Sequence, residues 1–188
     1  MENKSIKQFS ELAASKQPTP GGGGVCAAVA SLAASLGQMV TNLTIGKAKY
    51  IMHTGELEDI KKELDIIRIN LLDCINKDAQ AFEPLARAYK MDKNTPNYEQ
   101  IMDESLKCAA GIPLLILKYC TRIIDLDERL AIIGSKISVS DAATSVMLAQ
   151  GVLYGAYVNV LVNTRLMKNK TDADILNNEA IKANSLFQ

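Results

Sequence analysis

The apolar residues Leu57, Ile60, Leu64, Ile67, Leu71, Ile75, Ala79 and Phe82 follow one another three or four positions apart. That spacing gathers them on one stripe of an α-helix, whereas a strand would scatter them over both faces. It predicts a single long amphipathic helix over residues 54–89, and a stripe of that length needs neighbours to cover it. Pro84 falls in the last part of the segment. It is expected to bend or break the helix, because proline has no N–H to donate and its ring crowds the preceding turn.

The rest of the chain offers such neighbours. Ile6, Phe9, Leu12 and Ala13 keep helical spacing and predict a short amphipathic helix ending near Lys16. Residues 25–44 are rich in alanine, serine and leucine, small enough for other helices to approach on several sides, which marks a central helix. Between these two, Pro18-Thr19-Pro20-Gly21-Gly22-Gly23-Gly24 reads as a loop with bare backbone, since two prolines and a glycine run oppose regular helix. Thr95-Pro96 reads as a helix start, with threonine at the N-cap and proline in the first turn. That helix is expected to run to about Ala110, and Pro113 then starts or kinks a further apolar helix through Leu130. Residues 134–138 read as loop, Ser140-Asp141 opens another long helix, and Thr171-x-x-Asp174 resembles a capping box for a last one. No run alternates as a strand does, so the fold class is all-α: a bundle of long helices in one domain over residues 1–188. Helices this rich in small residues pair across two-fold axes, and a homodimer is expected.

Lysine plus arginine equals aspartate plus glutamate at 21 each, which leaves no long-range field to gather nucleic acid or an acidic membrane surface. Cys26, Cys74, Cys108 and Cys120 are widely spaced and the chain has one histidine. Neither a metal site nor a disulfide framework is indicated, and reduced thiols in the cytoplasm are expected. The start, Met1-Glu2-Asn3-Lys4, runs into an amphipathic segment, so no secretory leader is expected. Residues 25–40 and 142–162 are apolar enough to be tested as membrane spans. The first is short and carries Ser31, Ser35 and Gln38, and the second carries Thr144, Ser145, Gln150 and Asn159, so buried core helices are expected instead.

Four places carry residues suited to chemistry. At Gly21, Gly22 and Gly23, with Pro20 before them, a ligand can approach the main chain, and the helix that follows offers free N–H donors. Tight helix packing is the plainer use of the same glycines. In Asn42-Leu43-Thr44-Ile45-Gly46-Lys47-Ala48-Lys49-Tyr50 an apolar helix ends in an amide, a hydroxyl and two lysines, which a helix C-terminus favours for its own sake. Asp78 stands beside the stripe marked by Ile75 and Phe82, where apolar surroundings raise a carboxyl pKa and suit it to proton transfer. Asn159 and Asn163 lie one turn apart in an apolar helix, and buried amides need partners in the protein or in a heterocycle. Asp141, after Ser140, is placed to open its helix.

Taken in order, these segments resemble the cyclodeaminase domain of formiminotransferase-cyclodeaminases and the related methenyltetrahydrofolate cyclohydrolases over roughly residues 9–168. The motifs are Pro18-Thr19-Pro20-Gly21-Gly22-Gly23, Asn42-Leu43-Thr44-x-Gly46-Lys47-x-Lys49-Tyr50, Asp78-Ala79-x-Ala81-Phe82 and Lys93-Asn94-Thr95-Pro96. They continue with Ala109-Ala110-x-x-Pro113, Ser140-Asp141 and Gly155-Ala156-Tyr157-x-Asn159-Val160-x-x-Asn163. The resemblance implies a helical dimer, a tetrahydrofolate derivative as substrate, and neither metal nor other cofactor. It points to Asp78 as the acid/base residue, and to Pro20, Gly21, Gly22, Gly23, Asn42, Lys47, Lys49, Asp141, Asn159 and Asn163 as substrate-binding. Gly24, Ser135 and Asn169 depart from the usual motif. The activity expected is that of a cyclodeaminase, with a cyclohydrolase next and a non-catalytic folate-binding or helical interaction protein as the reading from another class.

Overall fold

The computed structural model describes residues 4–184. Residues 1–3, where the leaderless start was read, and residues 185–188, the end of the expected domain, lie outside the described residues. The described chain forms six α-helices: α1 (Ile6–Ala13), α2 (Gly22–Thr44), α3 (Thr54–Ala88), α4 (Tyr98–Ile133), α5 (Val139–Leu166) and α6 (Lys170–Asn184). Single 3₁₀ segments over Ala48–His53 and Lys136–Ser138 join them, and no strand occurs among the described residues.

Helix α2 is the axis of the bundle, packed against α3, α4 and α5. Ala27, Ala30, Ala33 and Ala34 are fully buried on it and let the three larger helices come close. They meet Leu57, Leu64 and Leu71 of α3, Ile116, Leu117, Ile123 and Ile124 of α4, and Ala149, Leu153, Ala156 and Val160 of α5. The α3 stripe lies as its spacing predicts, buried from Leu57 to Ile75, while Ala79 and Phe82 stay half-buried near the end where the glycine run begins.

Several local expectations are corrected. Pro84 and Pro113 sit inside α3 and α4 without ending either, so the two helices expected on either side of Pro113 are one. Losing one helical hydrogen bond is outweighed where the surrounding stripe, here Ala109, Ala110, Leu114 and Leu117, is buried along its length. Helix α4 begins at Tyr98, after Asn97 in the left-handed region at φ 61°, and not at Thr95. Gly22, Gly23 and Gly24 form the first turn of α2, so the loop proper is shorter than the glycine run suggests. Asn169, and not Thr171, caps α6: its side-chain oxygen accepts the Asp172 N–H at 3.2 Å.

The two segments weighed as membrane spans are bundle helices with one bare side. By length and hydropathy both pass as spans, and half of the most apolar stretch of α2 but only a third of that around α5 is buried in the bundle. Val25, Val29, Leu32, Leu36, Met39 and Leu43 run down α2 at alternating steps of four and three, and Met147, Tyr154, Val158 and Val162 are exposed on α5. Helix α1 buries none of its residues.

Candidate active site

Three helices deliver the site to one end of the bundle. The N-terminus of α2 brings Gly21, Gly22 and Gly23, the later turns of α3 bring Asp78 and Phe82, and the last turns of α5 bring Asn159 and Asn163. All of them line one cavity of about 240 Å³, with Pro18, Thr19, Leu85, Tyr89, Ala109, Pro113 and Val162 completing its wall. A larger apolar cleft of about 380 Å³ between α1, α2 and α3 holds no carboxylate or amide side chain.

Asp78 is pressed against the first turn of α2. A Cβ on Gly23 would lie 2.8 Å from its Oδ2 and closer still to Oδ1, so only glycine admits the carboxylate at that place. Helix α2 has no side-chain cap of its own. The Gly24 N–H donates to Asp78 instead, so an acid from a neighbouring helix satisfies one of the free donors there. Burial pushes the Asp78 carboxyl above the ordinary carboxylate range, and the Gly24 N–H pulls the other way. The same charge, after burial, raises the thiol of nearby Cys26. A carboxyl held near a helix N-terminus at the edge of an open cavity can both accept and return a proton.

The two asparagines are braced by their own helix. Asn159 Nδ2 donates to the Gly155 carbonyl at 2.8 Å and Asn163 Nδ2 to the Asn159 carbonyl at 2.9 Å. Each keeps a side-chain oxygen and a second N–H for a ligand. Gly22 lies against Asn159, since a Cβ there would come within 3.3 Å of Nδ2. Pro20 is buried behind the cavity wall, where its Cβ would stand 3.2 Å from one on Gly24. The Thr19-Pro20 peptide is cis.

The other expected residues are elsewhere in the chain. Asn42 is at the far end of α2, about 30 Å from Gly22 at 1.5 Å per residue. Lys47 and Lys49 follow it, exposed, and Asp141 is in the first turn of α5, the helix whose opposite end holds Asn159. Lys47 and Lys49 stand near Tyr50, whose hydroxyl accepts the Lys136 N–H at 3.2 Å. That hydrogen bond, with Lys49, Ser135 and Lys47, draws the Tyr50 pKa down. Ser135 is buried there and donates its N–H to Thr44 Oγ1 at 2.9 Å. One chain therefore brings Asp78, the glycines and the asparagine pair together and leaves Asn42, Lys47, Lys49 and Asp141 apart. Tyr89, Ala109 and Pro113 also line the cavity and carry no role in the sequence reading. The quoted Ala109-Ala110-x-x-Pro113 motif was the available signal. Among the described residues no group of three His, Cys, Asp or Glu comes together to hold a metal ion.

Comparison with known proteins places the chain among folate enzymes of one family. The family model described as formiminotransferase-cyclodeaminase matches residues 5–182. A methenyltetrahydrofolate cyclohydrolase of Methylorubrum extorquens is 35% identical over 176 residues, which is 92% of this chain and 85% of that protein. A formimidoyltransferase-cyclodeaminase of Rattus norvegicus is 28% identical over 98% of this chain, and the chain spans only 34% of that longer protein. The crystal structure of a formiminotetrahydrofolate cyclodeaminase from Thermotoga maritima superposes with a TM-score of 0.91 at 30% identity, covering 98% of this chain and 90% of that one.

Proposed function

The chain belongs to the formiminotransferase-cyclodeaminase family, and from that membership we propose that it is a tetrahydrofolate enzyme converting 5-formiminotetrahydrofolate to 5,10-methenyltetrahydrofolate and ammonia. The observation that carries the reading is Asp78, a carboxyl with a raised pKa on the wall of a cavity shared with Gly21–Gly23, Asn159 and Asn163. In the reaction, N10 of the folate attacks the carbon of the protonated formimino group on N5. A bond forms between N10 and that carbon, the carbon-to-nitrogen bond of the departing group breaks, and the methenyl cation remains. The N10 proton passes to Asp78 and from it to the leaving nitrogen, so one carboxyl serves as base and then as acid. No cofactor enters these steps.

A cyclohydrolase is the second reading, favoured by the Methylorubrum relative at 35% identity. There Asp78 guides water onto the methenyl carbon. Supplying purified protein with 5-formimino- and 5,10-methenyltetrahydrofolate in parallel, while following ammonia release and methenyl absorbance, distinguishes them. Ammonia release with gain of methenyl absorbance supports the first, and loss of methenyl absorbance above the uncatalysed rate supports the second. Turnover on neither sinks both in favour of a non-catalytic binder. The four cysteines are free thiols, which suits the cytoplasm.

The α2 and α5 stripes support the homodimer as part of this reading. Among their side chains Leu32, Leu43, Met147, Tyr154, Val158 and Val162 are about half exposed or more, an apolar surface of the kind that a subunit interface covers. In an antiparallel two-fold pairing of these helices, the partner's Lys47 and the partner's Lys49 come to the cavity end and meet the glutamate carboxylates of the folate tail. Lys49→Ala should then raise KM for polyglutamylated folates about 10-fold and leave monoglutamates nearly unaffected. Equal loss for both discards the assignment.

A further inference from the structure

Helices α3 and α4 each carry one internal proline, and the two differ in where the missing hydrogen bond falls. A proline inside a helix has no N–H for the carbonyl four residues earlier, and its ring pushes that carbonyl off the helix axis. The carbonyl left without its helical donor is that of Gln80 in α3 and of Ala109 in α4. Gln80 is exposed, so water can take the acceptor there. Ala109 is buried, and both Ala109 and Pro113 line the Asp78 cavity.

These are the only α4 residues among those lining the cavity, and neither has a polar side chain. Polar side chains reach the space from α3 at Asp78, from Tyr89 just after it, from α5 at Asn159 and Asn163, and from Thr19. The polar group that α4 can offer a heterocycle there is the main-chain carbonyl of Ala109, for which Pro113 supplies no helical N–H. A buried acceptor without a donor is costly, and a ligand N–H that pairs with it gains correspondingly.

We propose that the Ala109 main-chain carbonyl is a substrate-positioning acceptor for an N–H donor of the bound ligand, kept free by Pro113. This rests on the folate reading, under which the donor is the amino group or a ring N–H of the pterin. Pro113 is thereby a positioning residue: it touches the chemistry only through the carbonyl it leaves unpaired.

The test compares wild type with Pro113→Ala and Pro113→Val, each of which supplies an N–H to Ala109 within the helix, the valine also restoring bulk. Pro84→Ala is the control away from the cavity. Calorimetry with 5-formyltetrahydrofolate should show Kd raised about 10-fold in both Pro113 variants and unchanged in Pro84→Ala, with melting temperatures held or raised in all three. A pterin analogue with methyl in place of the amino group should bind wild type and the Pro113 variants within twofold of one another if that amino group is the donor. If it again loses 10-fold, the donor is a ring N–H and the acceptor stands. Unchanged Kd for the parent ligand in both Pro113 variants, or weakening in the alanine but not the valine variant, overturns the proposal. Wild type that binds no reduced folate overturns the functional reading on which the donor's identity depends.

Discussion

Two acids are buried against the same face of α2, four turns apart, and only one of them opens onto a cavity. Asp78 lies against Gly23 and Asp127 against Gly37, and in both places an added Cβ would strike the carboxylate. Burial raises both carboxyls, Asp127 from its ordinary 3.8 to about 7. Their surroundings differ. Asp78 is half-buried, receives the Gly24 N–H and lines the cavity. Asp127 is fully buried between α2, α3 and α5, with Ser145 on Oδ2 and nothing on Oδ1. Ser145 Oγ also reaches the Ala33 carbonyl at 2.7 Å. One hydroxyl proton cannot serve both, so a protonated Asp127 donating to Ser145, which donates to Ala33, satisfies the set. No charged side chain contributes to the Asp127 shift; α2 carries none, and on α3 Asp65 and Arg68, near Leu64, are paired with each other at 2.6 Å. A raised pKa by itself thus marks burial, and access to a cavity turns it into a candidate for chemistry.

The largest effect should come from replacing each acid by its amide. Asp78→Asn is expected to reduce kcat about 1,000-fold with little change in folate Kd, the range for loss of a positioned acid/base. Asp127→Asn should leave kcat within a few-fold, because Asp127 is not part of the cavity wall and an amide there matches the carboxyl in size. Single-turnover measurements on both variants decide. If Asp127→Asn proves as damaging as Asp78→Asn while the fold persists, the division between the two acids is wrong.

What could be read from the sequence follows the same division. Asp78 was legible because Ile75 and Phe82 bracket it on a stripe whose period fixes the buried side. Asp127 follows Leu117, Cys120 and Ile124 at the same spacing, so an acid in core register was visible too, but periodicity does not say whether a neighbour supplies a serine or a void. The glycine run was misjudged because local propensity counts Gly22–Gly24 as helix breakers. Capping by Asp78 and the close approach of that carboxylate come from a helix more than fifty residues away. Asn42, Lys47, Lys49 and Asp141 join Asp78 through the family resemblance, while one chain holds them at the other end of the bundle. Which end of a long helix a residue occupies relative to its neighbours depends on topology, to which spacing is blind.

A second effect separates the acids by pH. Asp127 has a folded pKa near 7 and an unfolded one near 3.8, so between these values the folded chain holds a proton that the unfolded chain releases. Stability should therefore be highest at the acid side of that window, decline as pH rises from about 4 to about 7, and level off above, by about 4 kcal/mol in total. Glu56, Glu63 and Asp65 act oppositely: hydrogen bonds from Arg129, Arg122 and Arg68 hold their pKa values down, and what they contribute is lost below about pH 4. Urea unfolding from pH 4 to 8 should show the decline in wild type and a clearly shallower one in Asp127→Asn, where the raised carboxyl of Asp78 is left to contribute. An identical slope in both would remove Asp127 from the linkage.

The smallest effect, and the one that probes the comparison most directly, exchanges the two glycines. At Gly37 a Cβ would lie 3.0 Å from Leu64 Cδ1 and 3.1 Å from Asp127 Cγ, both fully buried. Gly37→Ala should therefore overpack the core and cost about 1–3 kcal/mol, with kcat little changed in the folded fraction. At Gly23 the same methyl meets a carboxylate that can swing into open space. Gly23→Ala should change stability by no more than about 1 kcal/mol, the usual gain of alanine over glycine in a helix being offset by the Gly24 cap that a displaced Asp78 gives up. Its effect falls on rate, because a carboxylate displaced by about 1 Å loses on the order of 100-fold in catalysis. Thermal melts and kcat for the two variants should thus move in opposite senses, one losing stability and keeping rate, the other keeping stability and losing rate. Were both to lose stability alike, the carboxylate at Gly23 would be as confined as the one at Gly37, and the cavity would not give Asp78 the freedom that proton transfer requires.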